Sequence, residues 1–254
     1  MTEPEIHHLL VLTVFALAGV VFAVLGRVSA PYGRHSRGGW GPTVDERVGW
    51  VVMEAPSSLL FAWVYFQGPR AFDPVPLLML GLWQLHYLHR AFVYPLTKRS
   101  RPGQRMPVLV MLMAVVFNTI NSYINARWLS ALGPAYALGW LLSFRFLYGT
   151  LLYVTGYVIN RWADIQLRRL RKPGETGYSI PRGGLYEEVS CPNYFGELVQ
   201  WVGWAMLTWS PAGMAFAAFT AANLVPRAVS HHRWYQRTFP DYPRRRRAVI
   251  PYLL

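Results

Sequence analysis

Leu9-Leu-Val-Leu-Thr-Val-Phe-Ala-Leu-Ala-Gly-Val-Val-Phe-Ala-Val-Leu25 is a run of 17 residues whose only polar side chain is one hydroxyl, Thr13. A buried helix in a soluble protein accounts for an apolar run of about 12–15 residues, but not for one this long and this clean. Crossing a hydrocarbon layer of ~30 Å takes about 20 residues, within a range of 17–25. The segment is preceded by Met-Thr-Glu-Pro-Glu, which has no basic residue, and is followed by Arg27. It reads as a retained membrane anchor rather than a cleaved signal peptide.

Six further apolar stretches follow: Trp50–Phe66, Val75–Phe92, Pro107–Tyr123, Ala135–Ile159, Phe195–Trp209 and Ala212–Ser230. The composition agrees with a membrane chain. Of 254 residues 53% are hydrophobic and 15% charged, yet the formal net charge is +13, from 25 Lys and Arg against 12 Asp and Glu. Such a chain is too apolar to be disordered or an ordinary nucleic-acid binder. Its single cysteine, Cys191, excludes a disulfide scaffold and reads as a packing residue. With the N-terminus outside, seven crossings place 26–49, 90–106, 160–194 and 227–254 on the cytoplasmic side. Those segments hold 22 of the 25 basic residues; Arg70 and Arg127 fall opposite, and Arg145 falls within a span. This asymmetry is the positive-inside pattern. The sequence therefore predicts one all-α integral membrane domain over 1–254, with seven transmembrane helices, N-terminus outside and C-terminus cytoplasmic. No internal repeat is present, and 160–194 reads as a long cytoplasmic loop.

Polar groups within spans are costly and usually face a cavity or a partner. Glu54 in Trp-Val-Val-Met-Glu-Ala-Pro-Ser-Ser is the clearest case; a wet interfacial glutamate is the alternative. In His86-Tyr-Leu-His-Arg90, helical spacing puts His86, His89 and Arg90 broadly on one face and Tyr87 elsewhere, where an aromatic-belt role would explain it. Asn160, Asp164, Arg168 and Arg171 recur as one helical stripe. Either Asp164 and Arg168 form an ordinary surface pair, or the stripe serves a ligand with phosphate and hydroxyl or amide groups. Asn193 and Glu197 are again four apart at the start of span six. No G-x-G-x-x-G follows a strand and no P-loop occurs, so a Rossmann domain is not supported. The pair His231-His232 lacks the partners of an H-E-x-x-H zinc site, and no metal is expected.

Together these positions resemble a known family. Leu-Arg-Lys-Pro-Gly-Glu-Thr-Gly-Tyr-Ser-Ile-Pro-Arg-Gly-Gly-Leu-Tyr (170–186), Asn-Tyr-Phe-Gly-Glu (193–197), His-His-Arg-Trp-Tyr-Gln-Arg-Thr-Phe-Pro-Asp-Tyr-Pro (231–243) and the closing Ala-Val-Ile-Pro-Tyr look like a steroid 5α-reductase. Glu-Ala-Pro-Ser (54–57) and His-Tyr-Leu-His-Arg-Ala-Phe-Val-Tyr (86–94) match that family's substrate-side motifs, and the resemblance covers nearly the whole chain. It implies NADPH-dependent reduction of the 4,5 double bond of a 3-oxo-Δ4 steroid such as testosterone or progesterone, inside a seven-helix bundle. Carried over, Glu54 and Tyr87 hold the C3 carbonyl oxygen. The cofactor positions fall on Arg101, Asn160, Asp164, Arg168, Arg171, Tyr178, Asn193, Glu197, Arg227, His231 and Tyr235. Residues 1–130 would form mainly the substrate side, and 131–254 the NADPH side. Lys98 departs from the asparagine expected of vertebrate members.

The chemistry suits these residue types. Hydride addition at C5 moves charge to the C3 oxygen, where Tyr87 can donate a proton and Glu54 can donate only as a neutral acid. Desolvation in an apolar site favours that neutral form. Arg101, Arg168 and Arg171 suit phosphate groups, whereas Arg244–Arg247 suits anionic lipid headgroups. The Arg-rich loops suggest a bacterial homologue in an inner membrane; a eukaryotic one would lie in the endoplasmic reticulum membrane. Three other readings stay open: a polyprenol or enoyl reductase, an S-adenosylmethionine-dependent isoprenylcysteine-type methyltransferase, and a seven-span receptor or transporter. Neither nucleic acid nor metal is an expected partner, and the sequence does not give an oligomeric state.

Overall fold

The computed structural model describes residues 1–31, 33–35, 37–98, 103–170 and 177–254, with the backbone alone at position 34. Seven long helices carry the described chain: α1 (Glu3–Arg27), α2 (Glu46–Tyr65), α3 (Pro74–Leu88), α4 (Val108–Arg127), α5 (Phe144–Arg169), α6 (Pro192–Thr208) and α7 (Pro211–Thr238). Four are long and apolar enough to cross a membrane: α1, α2, α4 with its continuation to Leu132, and α7. Two of the others are short, 15 residues in α3 and 17 in α6. The third, α5, ends in an arginine-rich turn that lowers its mean apolarity.

Local chemistry places the helix ends. Asp45 caps α2 by accepting from Arg47 N (2.9 Å) and Val48 N (3.3 Å). Ser210 caps α7 by accepting from Gly213 N at 2.8 Å. Ser143 caps α5 by accepting from Phe146 N at 3.1 Å, so that helix begins nine residues after the expected start of the fifth span at Ala135. It then runs through 160–169, read above as loop, because no Pro or Gly occurs between Tyr157 and Leu170. Arg145 therefore lies in the first turn of α5 rather than in mid-span, with its guanidinium 4.2 Å from the Trp209 ring centre. After α3 the chain widens into a π-helical turn over His89–Val93 before a last turn at Tyr94–Thr97. One antiparallel ribbon amends the all-α expectation: β1 (Thr43–Asp45) pairs with β2 (Arg105–Pro107), with Val44 opposite Met106.

The core is aromatic. Trp83 stacks on Phe61 at 4.3 Å and meets Tyr87, Trp201, Trp204 and Phe216 within 5.6 Å. Its indole N–H donates to Ser57 O at 2.6 Å. Several polar residues inside the apolar spans satisfy one another or the backbone. Ser58 donates to Gln84 at 2.7 Å, the Asn118 amide donates to Met53 O at 2.6 Å, and Arg227 donates to Asn223 at 3.0 Å.

The tightest packing joins α5 to α6. Gly149 and Gly156 on one helix meet Gly203 and Gly196 on the other. A side-chain carbon at Gly149 would lie 2.5 Å from Leu207 N, and one at Gly196 would lie 2.5 Å from Asn160 N. Gly156 is equally closed, against Gln200 N and Gly196 O. Only glycine lets two backbones approach this closely.

The C-terminal segment holds a correction to the expected headgroup cluster. Arg244, Arg245 and Arg247 are exposed, but Arg246 is buried at 1%. Its guanidinium donates to Pro181 O at 2.9 Å and to Glu187 at 3.2 Å. Glu187 also accepts from Gly183 N, and that bond, reinforced by Arg246, holds its carboxyl below the usual range. A long cation with fixed donors is worth more as a staple between the 178–187 segment and the tail than as a surface charge. Cys191 packs nearby with Ala228, Ala248 and Val249.

The glycine contact predicts that Gly156→Ala lowers the thermal midpoint of the detergent-purified protein, since overpacking costs about 1–3 kcal/mol. Gly19→Ala in α1, where nothing lies within 4 Å of the added carbon, leaves the midpoint unchanged or slightly higher.

Candidate active site

At one end of the bundle α2, α5, α6 and α7 surround a cleft of about 1000 Å³. Its walls include Glu46 and Trp50 from α2, Arg90 and Tyr94 from the turn after α3, and Asp164 from α5. Asn193, Tyr194 and Glu197 come from α6, Arg227 and His231 from α7, and Tyr178 from the segment before α6. A second cleft of about 880 Å³ adjoins it through Tyr94, Lys98, Asp164, Tyr178 and Asn193, and adds Arg161, Arg168 and Tyr235.

The glycine-packed helices dictate how the acids and amides meet. Asn160 is buried, and its amide donates to Asn193 O at 3.0 Å with Glu197 Oε2 at 3.5 Å. One turn along, the Asn193 amide donates to Asp164 Oδ1 at 3.2 Å. Asp164 thus pairs with Asn193, and among the described residues it forms no ion pair with Arg168. On α7, Arg227 donates to Tyr194 Oη at 3.0 Å, and the same hydroxyl is 3.2 Å from His231 Nε2. His231 stacks on His35, with Nδ1 3.0 Å from His35 Nε2. Arg168 and Tyr235 line the second cleft.

Behind the cleft lies Glu54, with its side chain 12% exposed. Arg90 Nε is 3.5 Å from Glu54 Oε1, and the Asn118 amide is 3.5 Å from Oε2. Arg90 is the hinge between the two regions. Its guanidinium lies 4.7 Å from the Trp50 ring centre and 5.1 Å from that of Tyr94, and Glu54, Glu197 and Asp164 all act on it electrostatically. Tyr87 is 4% exposed and stacks on Trp201 at 5.7 Å. It lies within electrostatic reach of Glu54 and Glu197. This removes the aromatic-belt reading, because Tyr87 faces the core.

Several buried polar atoms around this pair lack a hydrogen-bond partner: Trp50 Nε1, Ser57 Oγ, His89 Nε2, Trp201 Nε1 and both ends of the Gln200 amide. Ser57 lies beside the Tyr87 hydroxyl, and Gln200 beside His86, without hydrogen-bond geometry. Buried donors and acceptors without a partner are costly unless a ligand completes them; others lie away from this region, at Tyr65, Arg70, Asn121, Thr150 and Arg246. Among the described residues no group of His, Cys, Asp and Glu could hold a metal ion.

The structure places Tyr87 within electrostatic reach of Glu54, and gathers Asp164, Arg168, Tyr178, Asn193, Glu197, Arg227, His231 and Tyr235 around the two clefts, with Asn160 directly behind. Arg101 and Arg171 lie outside the described residues. Sequence reasoning missed Arg90, Trp50, Glu46 and His35. Arg90 stands inside the quoted His-Tyr-Leu-His-Arg motif, but the π-helical turn breaks the 3.6-residue phase that the face assignment used. Glu46 is buried at 2% and pairs with Lys98 Nζ at 2.9 Å. An acid just after an N-cap carried no signal of burial.

The family profile for 3-oxo-5-alpha-steroid 4-dehydrogenase matches residues 104–254. The steroid 5-alpha-reductase DET2 of Arabidopsis thaliana is 44% identical over 242 residues, covering 93% of this chain and 92% of that protein. The chain belongs to the steroid 5α-reductase family. The human 3-oxo-5-alpha-steroid 4-dehydrogenase 1 is 43% identical over 240 residues, covering 94% of this chain and 92% of its own length. A DET2 relative from Gossypium hirsutum is 41% identical over 255 residues, covering 99% of both chains. The methyltransferase and receptor readings give way to this membership.

Arg90→Met leaves the Glu197 and Asp164 carboxyls without the cation that both act on. The expected loss is read as a fall of several degrees in thermal midpoint. The double variant Arg90→Met/Glu197→Gln recovers part of it.

Proposed function

We propose that the chain reduces the Δ4 double bond of 3-oxo-Δ4 steroids with NADPH, and that the observation carrying this reading is the placement of Glu54 and Tyr87 within electrostatic reach of each other behind a cleft rich in cations, amides and carboxylates. The family relatives bear the names of such enzymes. In this reading the bundle crosses the membrane seven times with the N-terminus outside and the C-terminus cytoplasmic, and the clefts open on the cytoplasmic side. The membrane is an inner membrane in a bacterial host, or the endoplasmic reticulum in a eukaryotic one. Residues 1–130 supply the substrate side, while Glu46, Trp50, Arg90 and Lys98 from that half also wall the main cleft.

The residues present suit NADPH. Two adjoining solvent-open clefts that share Tyr94, Lys98, Asp164, Tyr178 and Asn193 form one continuous track suited to an extended dinucleotide. Arg168 and Arg227 are the cations for phosphate. Asp164, Asn193 and Glu197 can accept from ribose hydroxyls and a carboxamide, with Tyr178, His231 and Tyr235 along the walls and Asn160 holding Asn193 and Glu197. Arg101 and Arg171 join the phosphate set by family resemblance. When bound, NADPH supplies the hydride for C5 of the steroid.

Tyr87 and Glu54 hold the C3 oxygen and stabilise the negative charge that it acquires as the double bond is reduced. Protonation at C4 completes the reaction. Glu54, Glu197 and Asp164 are three acids facing Arg90, with Arg161 a second cation beside Asp164. We assign a proton to Glu54, next to Tyr87 and the apolar rings, where it makes the carboxyl a donor. Testosterone or progesterone is the expected class of substrate, taken up with its apolar body among membrane lipid.

Purified protein in detergent is expected to carry NADP(H), detected by absorbance and mass spectrometry, and to consume NADPH on addition of testosterone or progesterone. Absence of both overturns the reading. Tyr87→Phe lowers kcat by about 10²–10³, the usual cost of one such donor. Glu54→Gln lowers kcat and alters the pH–rate profile; full activity with an unchanged profile would remove the protonated-acid role. Arg168→Ala raises the Kd for NADPH more than that for NADH, and equal losses would place Arg168 at the pyrophosphate rather than the 2′-phosphate.

A further inference from the structure

Beside the main cleft, at the same end of the bundle, lies a third concavity of about 650 Å³ between the C-terminal ends of α1 and α7. Three arginines line it: Arg27 from the last turn of α1, and Arg233 and Arg237 from the last turns of α7. Arg233 and Arg237 are one turn apart and share a face with Ser230 and Trp234. No carboxylate lines the concavity, and among the described residues none of the three arginines forms an ion pair. Arg27 spends one donor on Ala23 O, at 2.9 Å. Each guanidinium has five N–H donors in a planar fork, so most of their hydrogen-bonding capacity is uncommitted.

We propose that this concavity binds the headgroup of a glycerophospholipid with net negative charge. Three observations select that ligand. First, three guanidinium groups from two helices line one concavity, which suits a phosphodiester and repels the cationic end of phosphatidylcholine. Second, an apolar track leads to the site. Val20 and Val24 are exposed at 59% and 53%, and with Arg27 they form one stripe of α1 at i, i+4 and i+7. An acyl chain lies along that stripe while its phosphate meets Arg27. Third, Trp234 lines the concavity beside Leu25, and tryptophan is enriched where headgroup meets hydrocarbon.

The site has a route to the main cleft. Leu25, Ser29, His35 and Ser230 line both concavities, and Ser29 Oγ is hydrogen-bonded to Ser230 Oγ at 2.5 Å across the shared wall. A bound headgroup would brace the wall that carries His35 against His231. The arginines at 244, 245 and 247 are exposed but line none of the three concavities, which makes them a control of equal charge.

Native mass spectrometry of the protein released from mixed phosphatidylglycerol and phosphatidylcholine vesicles tests the proposal. The protein is expected to retain phosphatidylglycerol in preference to phosphatidylcholine. Arg27→Gln/Arg233→Gln/Arg237→Gln reduces that preference by about tenfold or more, whereas Arg244→Gln/Arg245→Gln/Arg247→Gln, which removes only diffuse surface charge, reduces it much less. The single variant Arg237→Gln gives a partial loss if the triple variant is poorly folded. Equal loss in both triple variants would mean a general surface charge and overturn the site. Retention of inorganic phosphate with no preference between the lipids would make it a free-anion site. A triple variant that weakens NADPH far more than NADH would hand the arginines to the nucleotide.

Discussion

The approach of α5 to α6 across four glycines is the contact on which the site depends. With side chains at Gly149, Gly156, Gly196 or Gly203 the two backbones would separate, because packed interiors do not absorb an extra methyl group without displacement. At the present spacing, Asn160 on one helix reaches the Asn193 carbonyl on the other, and Asn193 in turn reaches Asp164. Glu197 enters the cleft one turn along from Asn193. The polar stripe of α5 and that of α6 are therefore one surface, whose register is fixed by the glycines beneath it.

From that surface a single cation links the two functional regions. Arg90 faces Glu197 and Asp164 from the cleft and touches Glu54 behind it. Its position depends on the π-helical turn after α3, which carries His89–Val93 past Trp50 and Tyr94. The aromatic core does the complementary work. Trp83 and Trp201 both pack on Tyr87, so its phenolic oxygen is held in one place, and a donor positioned before the reaction needs less reorganisation during it.

Much of this was legible in the sequence. The apolar run at Leu9–Leu25 marks α1, and the motifs around Glu54, Tyr87, Asp164 and Asn193 name residues that the fold brings together. Their convergence was legible only through the family resemblance, since helical spacing alone left Tyr87 to an aromatic-belt role and Asp164 to a surface pair with Arg168. Arg90, by contrast, was placed on a face by a 3.6-residue period that the π turn does not obey. The glycines of α5 and α6 were silent, since a glycine at seven-residue spacing signals close approach only once its partner helix is known. Arg246 looked like its three neighbours in the tail because composition does not distinguish a buried guanidinium from an exposed one. The start of α5 was misplaced for a similar reason: residues 135–142 are apolar enough for a span, yet the Ser143 cap decides where the helix begins.

The proposed account requires that the hydrogen arriving at C5 come from the nicotinamide while Glu54 and Tyr87 hold the C3 oxygen. The most direct measurement is reduction of testosterone by the purified protein with NADPH deuterated at C4 of the nicotinamide, one face at a time, followed by NMR and mass analysis of the product. The account predicts one deuterium at C5, on the α face, from one of the two labelled cofactors, and solvent hydrogen at C4. Deuterium at C4, label from neither cofactor, or no 5α-reduced product would contradict it.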